Sequence, residues 1–123
     1  MGHDKLRKFA ENETFACLLQ PDCQPLLKDG YARLASHPIK GQWRGTMFPS
    51  SLPSSPLVLE LGCGKGEYTV DLALRRPEAN YVGVDIKGAR LWKGAKYVTE
   101  HSIPNAAFLR TKVEFITAFF APS

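Results

Sequence analysis

The sequence predicts an α/β fold: the first half of a doubly wound parallel sheet, entered through an irregular N-terminal segment. Three observations carry this. Short apolar runs at Leu57–Leu61, Tyr81–Asp85 and Ala106–Arg110 alternate with amphipathic segments of helical length. The first run ends in glycines, as a buried parallel strand does where it turns into a helix. Six of the nine prolines (Pro21, Pro25, Pro38, Pro49, Pro53 and Pro56) stand before residue 57, so regular elements there must be short.

The chain therefore divides into an irregular, proline-rich segment with short helices over 1–56 and the sheet-forming segment over 57–123. In the first, Lys5–Asn12 and Leu26–Ala35 read as short helical turns, and Pro49–Pro56 reads as a linker. In the second, Leu57–Leu61 is the first strand. Glu67–Arg76 is a helix: Tyr68, Val70, Leu72 and Ala73 give it an apolar side, Arg75 and Arg76 suit its C-terminal dipole, and Pro77 stops it. Tyr81–Asp85 is the second strand, Gly88–Glu100 the second helix, Ala106–Arg110 the third strand, and Phe115–Phe120 begins a third helix.

Composition narrows the class. A chain of 123 residues, 44% hydrophobic and 23% charged, is too apolar to be disordered and too short for two catalytic domains. A net charge of +4 permits a nucleic-acid partner without requiring one. Cys17, Cys23 and Cys63 are odd in number and form no Cys-x-x-Cys pair, which argues against a disulfide framework and a zinc site. Free thiols in a reducing cytoplasm are the expectation. His3, His37 and His101 are scattered, and no metal role is assigned to them. No apolar run is long enough to span a membrane, and the N-terminus lacks the apolar core of a signal peptide.

The chemistry concentrates in the turn Glu60-Leu61-Gly62-Cys63-Gly64-Lys65-Gly66. Alternate glycines permit a tight turn and a close approach of ligand to backbone, and the following helix offers free N–H groups. Asp85 stands nineteen residues beyond Gly66, at the end of the next strand, where a carboxylate can accept from ribose hydroxyls. A dinucleotide fingerprint wants a sixth-position glycine where this chain has Glu67, and a P-loop wants Ser or Thr where it has Gly66. S-adenosylmethionine carries no phosphate and has a cationic amino group, so Glu60 before the first glycine favours it. Against that stands a strand-end carboxylate that only caps nearby N–H groups.

Leu59–Tyr68, Val82–Trp92 and Asn105–Ile116 resemble the tRNA (guanine-N7-)-methyltransferase family. Asp4–Asn12 and Lys40-Gly41-Gln42-Trp43 resemble its bacterial members, so the resemblance covers most of the chain. It implies the N-terminal half of a Rossmann-like class I methyltransferase sheet, S-adenosylmethionine as cofactor, tRNA as partner and N7-methylguanosine as product. Glu60 and the turn Gly62, Cys63, Gly64 and Gly66 would hold the methionine end. Asp85 would take the ribose hydroxyls and Ile86 would lie against the adenine. Where the family often has an acid near the adenine amino group, this chain has Arg110 followed by Thr111. The family's Pro-Asp-Pro segment follows a fourth strand, and the chain stops at Ser123 before one. The chain is thus expected to be an inactive cofactor-binding piece, with catalytic residues downstream. Leu57–Leu61 is then expected to be an unpaired sheet edge that invites self-association.

Basic residues supply the RNA expectation. Lys87, Arg90, Lys93 and Lys96 recur every third residue and form one stripe, read either as a solvated face or as phosphate contacts. Lys5, Arg7 and Lys8 would add a flexible basic arm, while Phe9, Phe15 and Trp92 read as packing residues rather than stacking platforms. Two rival functions stay open at this point: a methyltransferase for a small molecule, and a non-catalytic nucleotide-binding module using NAD.

Overall fold

A computed structural model of the chain describes residues 2–29 and 33–121. Along it run helix α1 (Gly2–Asn12), strands β1 (Leu18–Leu19), β2 (Leu27–Lys28) and β3 (Arg33–Leu34), and helix α2 (Trp43–Met47). Then follow β4 (Leu57–Leu61), α3 (Glu67–Arg75), β5 (Asn80–Asp85), α4 (Gly88–Glu100) and β6 (Ala106–Arg110). Short 3-10 helices lie at Gln24–Leu26 and Val113–Ala118.

The main sheet is parallel throughout and has the order β1-β6-β5-β4. Each β-α-β step is thus a crossover, and the three long strands run in the order of a doubly wound half-sheet. Register aligns their carboxyl ends: Leu61 stands beside Val84, and Asp85 beside Arg110. That end of an open α/β sheet is where ligands bind.

Alternation along the strands sorts two cores. Tyr81, Ala106 and Phe108 face α3 and α4, where Val70, Ala73, Leu91, Ala95 and Val98 are buried. Val82, Val84, Ala107 and Leu109 face the other way, onto Leu26, Ile39, Trp43, Phe48 and Phe119. The second layer thus comes mainly from the N-terminal segment. Among the described residues β4 pairs only with β5, and Val58 and Leu61 are 37% and 50% exposed. Among the described residues no helix is long and apolar enough to cross a membrane.

Three local expectations need correction. Leu26–Ala35 is no helical turn: Leu27 pairs with Leu34 and Lys28 with Arg33 in an antiparallel ladder. Asp29 sits at φ 51°, which ends any helical run, and the Asp29-Gly30 pair is a turn signal in sequence. Residues 30–32 lie outside the described ones. Phe115–Phe120 is not a third α-helix; a 3-10 helix over Val113–Ala118 takes its place, and its final carbonyls have long-range partners. The Trp43 indole N–H donates to the Phe119 carbonyl at 2.7 Å, and the His37 N–H to that of Ala118 at 2.8 Å. The N-terminal basic residues do not form a free arm. Lys5, Arg7 and Lys8 lie on α1, which packs on α4 and is fastened there by the Asn12 side chain donating to the Gly88 carbonyl at 2.9 Å.

Candidate cofactor-binding site

The turn after β4 is built on three left-handed glycines, Gly62 at φ 72°, Gly64 at 59° and Gly66 at 76°. The N–H groups of Gly62 and Cys63 both donate to the Val84 carbonyl, at 2.7 and 3.0 Å, so β5 carries the turn. The glycines differ in what surrounds them. A Cβ on Gly62 or Gly64 would meet nothing within 4 Å, whereas one on Gly66 would stand 2.6 Å from Cε1 of Phe108. A Cβ on Gly83 or Gly94 would crowd the same ring, at 2.9 and 2.7 Å.

Asp85 fixes the open part of the turn. One carboxylate oxygen accepts from the Gly64 N–H and the other from the Lys87 N–H, both at 2.9 Å. Each oxygen keeps lone-pair capacity for a second donor. Glu60 accepts from the hydroxyl of Thr69, which is buried under the turn. The sequence reading did not single out Thr69; its place one helical turn into α3, facing back to a strand-end acid, is the signal. Burial, reinforced by the carboxylates of Asp85 and then Glu60, pushes the Cys63 thiol up to about 12. The thiol is therefore protonated at neutral pH and is no nucleophile. The same two carboxylates make the turn unwelcoming to a pyrophosphate and suited to a cationic ligand.

A second wall continues from Asp85. Ile86 is 46% exposed and lines a cleft of about 450 Å3 with Arg110, Thr111, Gln20, Asp22 and Cys23. Arg110 acts there as a strut: its guanidinium donates to the Ile86 carbonyl at 2.9 Å and lies over the Phe9 ring. Thr111 is buried, with its hydroxyl 3.7 Å from the Cys23 sulfur. Gln20, Asp22 and Cys23 were missed as site residues, because only the pairing of β1 with β6 brings them to this end of the sheet. Another cavity, of about 650 Å3, opens at the opposite strand ends beside Pro56, Asn80 and Asn105, and no predicted site residue lines it.

The basic residues along α4 have different partners. Lys87 and Arg90 are exposed, and Arg90 borders a cleft beside Gly64. Lys93 is 3.7 Å from Glu67, and Lys96 is 4.0 Å from Glu100. Lys96 also joins Arg7 and Lys8 around the Trp92 ring. Among the described residues, no group of three or more His, Cys, Asp or Glu is placed to hold a metal.

A parallel half-sheet with an alternating glycine turn, an acid at the end of the next strand and an apolar neighbour after it defines a class I methyltransferase fold. Residues 54–123 match the family model described as "Putative methyltransferase". The tRNA (guanine-N(7)-)-methyltransferase of Christiangramia forsetii is 46% identical over 118 residues, 96% of this chain and 49% of that protein. The enzyme of the same name in Bacteroides fragilis is 41% identical, over 98% of this chain and 44% of its own length. That of Porphyromonas gingivalis is 51% identical over 68% of this chain and 33% of its own. The chain belongs to the tRNA (guanine-N7-)-methyltransferase family, and it spans about half or less of the length of these relatives.

Proposed function

We propose that this chain is the S-adenosylmethionine-binding half of a cytoplasmic enzyme that methylates N7 of a guanine in tRNA. The observation that carries this is the open space at Gly62 and Gly64 beneath two carboxylates, Glu60 and Asp85, in a chain of this family. The residues fit the cofactor. Glu60 would face its ammonium group, Asp85 would accept from its ribose, and the exposed face of Ile86 would cover its adenine, with Arg110 and Thr111 behind. When bound, the cofactor supplies an activated methyl group.

Guanine N7 already carries an in-plane lone pair, so the protein's task is alignment rather than base catalysis. That accords with a site of carboxylates and backbone N–H groups around a protonated Cys63. The guanine-holding residues lie outside this chain on this reading, and the chain by itself binds cofactor without turnover. Lys87 and Arg90, beside the turn, face the approaching RNA.

Calorimetric titration with S-adenosylhomocysteine tests the site. Asp85→Ala removes a charged hydrogen-bond acceptor, worth roughly 1.5–3 kcal/mol, so affinity should fall on the order of 10- to 150-fold. Unchanged affinity would take Asp85 out of the site. Binding of NAD in preference would instead favour the nucleotide-module reading. Transfer of tritiated methyl to tRNA, by a protein extended to the length of the relatives, tests the substrate.

A further inference from the structure

The seam between α1 and α4 gathers charge in a way the cofactor site does not use. Trp92 is half-buried there, and its indole N–H donates to Glu11 at 2.8 Å, which sets the ring's orientation. Three cations sit over this one ring: Lys8 Nζ at 4.9 Å from its centre, Lys96 Nζ at 5.0 Å and the Arg7 guanidinium at 5.5 Å. A ring has two faces, so at least two of the three share one. Attraction to the ring offsets part of their mutual repulsion. Carboxylates offset a further part: Glu11 accepts from the indole and keeps its charge beside the ring, and Glu100 lies 4.0 Å from Lys96, but among the described residues Arg7 and Lys8 have no carboxylate within salt-bridge distance.

We infer that the α1–α4 seam around Trp92 is a docking patch for phosphates of the RNA backbone. The inference rests on the tRNA reading above and locates one of its contacts. Charge complementarity argues for this occupant: converging cations on two packed helices match closely spaced phosphates, and ordering them in advance lowers the cost of binding. Both helices are anchored, by Asn12 on Gly88 and by Glu11 on Trp92, so the spacing of the cations is fixed before RNA arrives. Trp92 is a positioning residue here, not a stacking platform.

The test measures binding of bulk tRNA to the 123-residue chain against salt. Arg7→Gln with Lys8→Gln should weaken binding and reduce the slope of log affinity on log salt by about 2. A charge-matched control, Arg33→Gln with Arg75→Gln, should leave the slope unchanged. Trp92 emission gives an independent signal, since Trp43 is only 2% exposed. Added tRNA should shift the emission of the wild type and not that of Trp92→Phe. An unchanged slope in Arg7→Gln/Lys8→Gln, or an equal loss in the control, would overturn the patch and leave the tRNA reading intact. Failure of the wild-type chain to bind tRNA would overturn the patch, whereas the tRNA reading itself stands or falls on methyl transfer by the extended protein. Capture of phosphatidylserine vesicles instead of tRNA would overturn the RNA assignment.

Discussion

Gly64 and Gly66 are two residues apart, share a left-handed backbone and do different work. Around Gly64 there is open space, and the turn is held from outside by one carboxylate oxygen of Asp85. Around Gly66 there is the ring of Phe108, itself fully buried, with Gly94 beyond. The first glycine answers to backbone angle alone. The second answers to angle and volume together. A turn built this way presents a bare, rigid backbone to a ligand on one side because its other side is wedged into the core.

The same substitution at the two positions should separate the two demands. Gly66→Ala combines left-handed strain, about 1–2 kcal/mol, with overpacking against a ring that has nowhere to go, about 1–3 kcal/mol. Urea unfolding should show the sum, and a loss no greater than the strain alone, about 1–2 kcal/mol, would mean that Phe108 yields freely. Gly64→Ala should cost only the strain, about 1–2 kcal/mol. Its added methyl enters the ligand's space, so S-adenosylhomocysteine affinity should fall further than stability does. Normal affinity in that variant would make the open half an ordinary turn.

The smallest effect concerns pH. Burial holds the Cys63 thiol protonated in the folded chain up to about 12, against an ordinary value near 9. Above pH 9 the unfolded chain releases this proton and the folded chain keeps it, so stability falls as pH rises through that window. Urea midpoints at pH 8, 9 and 10 should decline more steeply in the wild type than in Cys63→Ala. Parallel declines would place the thiol in contact with solvent.

Where an element and its partner are neighbours in sequence, the sequence shows both. β4, α4 and β6 have the expected bounds, while α3 ends one residue early and β5 begins one early. Their apolar spacing and flanking glycines or prolines are local signals. The glycine turn and Asp85 were legible for the same reason: a turn between strand and helix needs left-handed residues whatever lies around it. What each glycine packs against was not legible, because Phe108 comes from β6. Nor were β1, two residues long and paired with β6, or α2, whose Gln42 provides no side-chain cap and whose Trp43 is fixed by Phe119. The Leu26–Ala35 segment failed through period: its leucines fit a helical face, and the turn at Asp29 decided otherwise.

The pairing of β1 with β6 also sets a schedule. Leu18 aligns with Phe108 and Leu19 with Leu109, so the sheet's outer strand is synthesised first and its partner ninety residues later. At ribosomal rates of roughly 5–20 residues per second, that leaves Leu18 without its place in the sheet for roughly 5–20 s. Its closure is also highly non-local, and such steps are slow. The N-terminal segment that supplies most of one layer of the core must therefore wait, half-made, for β6 to emerge.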